Sequence, residues 1–365
     1  MSLPHLGSLE DLPQTYRDAL TEQNLVPLWP SLRAVLPPGK PAPRTRATAW
    51  NYQALRPLLL EAGVLTPIEK AERRVLVLAN PGHGLDKMQA SSTIYLGMQL
   101  LLPGEWAPAH RHTPNAVRMI VEGEGAYTTV DGEKCLMQRG DLILTPTGLW
   151  HEHGHEGDKP VIWLDVLDLP MVYYMEASYV TEGNAQPVNG NDAGMAYQRG
   201  GLVPAPLFNR RETAFPMLRY PWVDVRAALN NLARIQPEID AVQLAYVNPE
   251  TGADAQSILG FSALMLRPGE TLHLPARSSA TVFHVIEGGA SITAQASCFV
   301  LGEADTCCIP GYVQITLVNA SATEPAFVFI ADDAPLQKKL GMYEVRTPLN
   351  GTPGGHVDRE ALPLD

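Results

Sequence analysis

"PAHRHTPNAVRMIVEGEG", residues 108–125, puts His110 and His112 two residues apart in what reads as a strand. It returns in altered form as "HLPARSSATVFHVIEGGA", residues 273–290. Glu122-Gly123 of the first stretch aligns with Glu287-Gly288 of the second, 165 residues on. The likeness extends outward in both directions. Asn80-Pro81 recurs as Asn248-Pro249, Pro103-Gly104-Glu105 as Pro268-Gly269-Glu270, Pro146 as Pro310, and Asp168 with Pro170 as Asp333 with Pro335. The offset stays between 164 and 168 residues throughout, which is the signature of a duplicated unit. Within each unit, short apolar runs such as "VLVLA", "LILTP" and "VIWLDVLDL" are separated by Gly, Pro and Asn. That pattern predicts the strands of a sandwich or barrel.

The chain divides on this reading into five parts. Residues 1–70 are expected to be mostly helical. "SLED" at 8–11 and "TPIE" at 66–69 match capping boxes, the second with Pro67 at the first helical position, and "WNYQALRPLLLEAG" has helical spacing with a break or kink at Pro57. The first β unit occupies 71–175. A connector, 176–240, is polar at first and then helix-like in "PWVDVRAALNNLARI". The second β unit spans 241–338, and 339–365 form a C-terminal tail.

With 365 residues, 45% of them hydrophobic and 18% charged, the chain is an ordinary globular protein. A formal net charge of -12 argues against nucleic acid or an anionic membrane surface as its main partner. No apolar run reaches the roughly 18 residues of a membrane span. The four cysteines, at 135, 298, 307 and 308, form no CxxC pair, as expected of free thiols in a reducing compartment. "MSLPHLGSLEDLPQ" lacks the basic and apolar regions of a secretory signal. The expected location is the cytoplasm.

The two copies differ in their chemistry. Alternate residues of a strand share a face, so His110 and His112 can point at one object, and so can His151, His153 and His155 of "WHEHGHEG". Five of the ten histidines thus fall in two clusters within one unit. Neutral imidazole is the commonest metal ligand, and three of them leave coordination positions open; an exposed polar strand face is the competing explanation. At the offset above, His110 maps to Pro275, His112 to Arg277, Arg118 to Phe283, Asp165 to Ile330, and His151 to Ile315 or Thr316. Framework residues persist while this whole set disappears. Arg118, inside the apolar run "VRMIV", is a candidate partner for a substrate carboxylate, and Asp165 is a lone carboxylate in "IWLDVLD". His153 shares the parity of His151 and is a candidate for proton exchange, or equally for a structural partner just outside the ligands.

Gly104, His110, His112 and Gly123 follow the first motif of the cupin superfamily, and Gly140, Pro146, Gly148 and His151 its second, with Ala116 and Val117 where the first motif's glutamate usually stands. The fold expected is therefore mainly β, a bicupin of two tandem double-stranded β-helix (jelly-roll) barrels with a helical N-terminal region. "ERRVLVLANPG", "HRHTPNAVRMIVEGEGAYTTVDGE", "GDLILTPTGLWHEHGHEG" and "WLDVLDLP" closely resemble gentisate 1,2-dioxygenases, bicupin enzymes grouped with salicylate and 1-hydroxy-2-naphthoate dioxygenases. "LGEADTCCIPGYVQ" in the second unit is more divergent from that family. The resemblance implies one Fe(II) per chain on His110, His112 and His151, dioxygen and a small aromatic acid as substrates, and a homotetramer. It assigns Asp165 to the 5-hydroxyl of gentisate, makes maleylpyruvate the product of an aromatic catabolic route, and makes Arg73, Arg74 and Gln99 further candidate substrate contacts, one of the two arginines reaching the site. Relatives acting on salicylate or 1-hydroxy-2-naphthoate, a non-catalytic metal- or sugar-binding cupin, and a zinc or manganese isomerase are the competing readings.

Overall fold

The computed structural model describes residues 6–189, 193–197, 200–204, 214–347 and 356–359. Each repeat is a sandwich of two antiparallel sheets, and the two repeats use the same strand order. In the first, a six-stranded sheet runs Arg219–Tyr220, Leu142–Thr145, Ala116–Glu122, Val161–Leu167, Tyr95–Leu101, Arg74–Val77. Its five-stranded partner runs Val180–Glu182, Trp106–His112, His151–His155, Ala126–Val130, Glu133–Leu136. The second repeat has Thr48–Trp50, Thr306–Ile309, Thr281–Glu287, Ala326–Asp332, Gly260–Leu266, Val242–Ala245 in the corresponding order. Central strands such as Ala116–Glu122 and Ala326–Asp332 are buried at six successive positions. That explains their unbroken apolar runs, since both faces are covered.

The outermost strand of each larger sheet is borrowed. Thr48–Trp50, which precedes the first repeat, pairs with Thr306–Cys308 of the second. Arg219–Tyr220, which precedes the second, pairs with Leu142–Ile143 of the first. A 14-residue helix follows each borrowed strand, Tyr52–Leu65 and Trp222–Ile235, and packs on its own repeat. The first orphan N–H of each helix is taken by an aspartate of the other repeat: Tyr52 N donates to Asp305 Oδ1 at 2.6 Å, and Trp222 N to Asp141 Oδ1 at 2.8 Å. Glu122 accepts from Tyr52 Oη and from Arg56, and Glu287 accepts from Trp222 Nε1 and Arg226 in the same way. The larger of two apolar cores runs through both repeats and both helices, with Leu59, Trp163, Leu229, Phe327 and Phe329 fully buried in it, and the smaller fills the inside of the second repeat around Phe283 and Leu317.

Three local expectations are corrected. No helix begins at "SLED": Asp11 takes the Ser8 N–H in a turn, and the helix starts at Gln14 after Pro13. "TPIE" starts only a four-residue helix, Ile68–Ala71, with Pro67 just outside it. Pro57 does not break Tyr52–Leu65, which Asn51 caps through the Ala54 N–H. In the tail, Glu344–Thr347 pairs with Ala276–Arg277 and with His356–Arg359, while residues 348–355 and 360–365 lie outside the described set. No described helix is long and apolar enough to cross a membrane, and all four cysteines are free.

Candidate metal centre and substrate cavity

Strand register assembles the histidines. His110 lies opposite His151 across a pair that is irregular between Ala107 and His110. Such a bulge re-aims the side chains beyond it. One nitrogen each of His110, His112 and His151 fall within 4.8 Å of one another. In all three, Nδ1 meets a backbone carbonyl two residues away: Pro108 O at 3.1 Å, Pro114 O at 2.7 Å and Leu149 O at 3.1 Å. A carbonyl can only accept, so Nδ1 carries the proton and each Nε2 keeps a lone pair. Burial, reinforced by Arg73 and Arg118, holds His110 down at about 3 and His112 at about 4, and burial with Arg118 and the two neighbouring imidazoles pushes His151 well below its ordinary value. The three are neutral near pH 7. His151 Nε2 is buried with no partner in the protein, a costly arrangement unless something else uses the lone pair. A metal ion fits these residues.

Beside the histidines is a cavity of about 370 Å³, lined among others by Arg73, Tyr95, Gln99, Arg118 and Asp165. Arg118 and Asp165 are register partners on adjacent strands, with Nε 3.5 Å from Oδ1. Arg118 Nη1 donates to the Thr145 hydroxyl, and Trp163 Nε1 donates to Asp165 Oδ1 at 3.0 Å. Burial lowers Arg118 to about 10, leaving it a cation at neutral pH, and raises Asp165 to about 6 against the opposing pull of Arg118. Gln99 is buried with its Nε2 unpartnered. Gly97, opposite Asp165, has no room for a side chain, since a Cβ there would come within 2.5 Å of Val75 and 2.7 Å of the Tyr95 hydroxyl.

Two expected residues lie elsewhere. Arg74 points away from the cavity, buried against Glu105 and the backbone of Gly63; alternation along the strand puts Arg73, not Arg74, on the cavity side. His153 is absent from the cavity lining. It stands behind His151 with ring centroids 6.0 Å apart, and its Nδ1 meets the Thr128 hydroxyl at 2.9 Å. Trp163, Thr145, Tyr95 and Tyr179 escaped sequence reasoning. Trp163 and Tyr95 share parity with Asp165 and Gln99 on their strands, and that was the one signal available.

The second repeat has no such centre. Phe283 lies opposite Ile330 where Arg118 lies opposite Asp165. Ala294 pairs with Ile315 as Val130 pairs with His151, so Ile315 is the counterpart of His151. Pro275, Arg277, Ile315 and Ile330 surround a space of only about 20 Å³. His273 is exposed and His284 is bonded to Thr306.

The cupin domain family model matches residues 97–167. A gentisate 1,2-dioxygenase from Ralstonia sp is 69% identical over 341 residues, covering 93% of this chain and 96% of that one. A 5-aminosalicylate 1,2-dioxygenase from Comamonas sp is 32% identical, covering 94% of this chain and 93% of that one. Among solved structures, salicylate 1,2-dioxygenase from Pseudoaminobacter salicylatoxidans in its adducts with gentisate superposes with a TM-score of 0.85 at 29% identity, covering 96% of this chain and 97% of that one.

Proposed function

Because this chain belongs to the gentisate 1,2-dioxygenase family, we propose that it opens the ring of gentisate with dioxygen, giving maleylpyruvate, on one Fe(II) held by His110, His112 and His151. The observation that carries this reading is the joint placement of three neutral imidazoles, a buried guanidinium and a buried carboxylate around one cavity. Three neutral ligands leave Fe(II) its full charge, which suits a substrate that chelates through a carboxylate and the adjacent phenolate. When bound, the iron would gather substrate and dioxygen and pass electron density from the ring to the oxygen.

The protein's own groups do the rest. Arg118, with Arg73 nearer the mouth, holds the substrate carboxylate. Asp165 receives the 5-hydroxyl and shares its proton, and the Gln99 amide offers a further donor. His153 supports His151 from behind, and its burial keeps the imidazole neutral. The division of labour follows the repeats, with residues 71–175 carrying the chemistry and 241–338 the scaffold. The free thiols and acidic surface suit the cytoplasm. Tyr173, Tyr174 and Met175, exposed beside the first repeat, suit burial in a homotetramer.

Oxygen uptake by anaerobically Fe(II)-loaded protein tests the reading, with gentisate, salicylate and 1-hydroxy-2-naphthoate offered in turn. Gentisate should give the largest kcat/KM, exceeding salicylate by about a hundredfold or more, because salicylate leaves Asp165 without its hydroxyl. Equal turnover of the two would remove the role given to Asp165, and no uptake with any of them would remove the function.

A further inference from the structure

We propose that Thr145 and Gln256 are positioning residues that aim the Arg118 guanidinium, so that the metal-free repeat takes part in substrate binding. The inference rests on the reading of Arg118 as the carboxylate-binding group. Arg118 Nη1 donates to Thr145 Oγ1, and among the described residues this is the guanidinium's one hydrogen bond to the protein. Thr145 Oγ1 in turn donates to the Ala116 carbonyl at 3.2 Å, and Gln256 Nε2 donates to the same carbonyl at 2.9 Å. The directions are forced. Ala116 O can only accept, so it takes the single proton of the hydroxyl, and Oγ1 presents its lone pairs to Nη1. Threonine is β-branched and stiff about χ1, so the acceptor stays in place.

Thr145, Ala116 and Gln256 are all buried. Gln256 comes from the loop between Val242–Ala245 and Gly260–Leu266 of the second repeat, and its amide crosses to a strand of the first. Its own Oε1 is buried without a partner, so the amide is held there at some cost. The duplicate supplies a control. Where the first repeat has Arg118 and Thr145, the second has Phe283 and Ile309, and both hydrogen-bonding groups are gone together. The counterpart of Gln256 is Ser91, whose hydroxyl serves its own loop by accepting from Thr93 N and Ile94 N.

Calorimetric binding to zinc-loaded protein under argon reads this without turnover. Thr145→Val should weaken gentisate about tenfold, as loss of a hydrogen bond to a charged group does, with metal content unchanged. Thr145→Ser should recover most of the loss. Gln256→Leu should weaken gentisate by about threefold. Hydroquinone, which keeps both ring hydroxyls but has no carboxylate, should bind all forms alike. Gentisate affinity within about twofold of wild type in both Thr145→Val and Gln256→Leu would overturn the proposal, and so would an equal loss for hydroquinone. If Thr145→Val does not fold, Gln256→Leu decides by the same criteria. Wild type that binds gentisate but, loaded with iron, takes up no oxygen would overturn the ring-cleavage reading alone. Wild type that binds no gentisate would overturn both.

Discussion

A buried imidazole serves a metal well when its tautomer is settled beforehand, and the carbonyls of Pro108, Pro114 and Leu149 settle it for His110, His112 and His151. The ligands then need neither rotate nor lose a proton as the ion arrives. Asp165 is tuned differently. Burial brings its carboxyl up to about 6, so it is ionised at pH 7 and gains a proton as pH falls through 6. Protonated, it can no longer take the hydroxyl's proton, and it accepts from the hydroxyl only as a neutral and weaker partner. In iron-loaded enzyme, kcat/KM for gentisate should therefore fall on the acid side with a midpoint near 6. Asp165→Asn should be less active and lack that limb; a limb that survives the substitution would assign the titration elsewhere. The histidine spacing was legible because ligands two apart on one strand leave a local mark. Thr145 left none, since it serves Arg118 through a strand register that a linear sequence does not display, and Trp163 left only its parity with Asp165. Arg73 and Arg74 were legible as a pair, but the choice between them needed the strand's facing direction.

Between residue and molecule, the telling elements are the two 14-residue helices and their borrowed strands. Helix Tyr52–Leu65 packs on the first repeat yet has its N-terminus held by Asp305 of the second, and Trp222–Ile235 is held by Asp141 of the first. Asp305 also accepts from the Asn51 side chain. Asp305→Ala should therefore destabilise the protein by about 1–2 kcal/mol, seen as a lower midpoint of thermal unfolding, with metal content intact. An unchanged midpoint would show that the exchanged cap adds nothing to the union of the repeats. The duplicated barrels could be read from the framework residues, whose glycines, prolines and Asn-Pro pairs mark turns in both copies. The borrowed strands could not: three residues, Thr48–Trp50, and two, Arg219–Tyr220, are too short to show alternation, and their partners lie more than 70 residues away. "SLED" misled because a capping-box pattern requires only four residues and a turn satisfies it equally well.

The whole molecule is a duplication in which fold and chemistry have separated. Both repeats keep the sheet order, the helix, the exchanged cap and the Glu122 or Glu287 anchor, and only the first keeps donors around an open cavity. Proline lacks a side-chain donor, arginine stays cationic and isoleucine is apolar, so Pro275, Arg277 and Ile315 cannot ligate a cation. The most direct test is the iron content of the anaerobically loaded protein, measured for wild type and for His151→Ala. The account predicts one iron per chain in wild type, and loss of both iron and oxygen uptake in His151→Ala. Two irons per wild-type chain, or a His151→Ala protein that still cleaves gentisate, would contradict it.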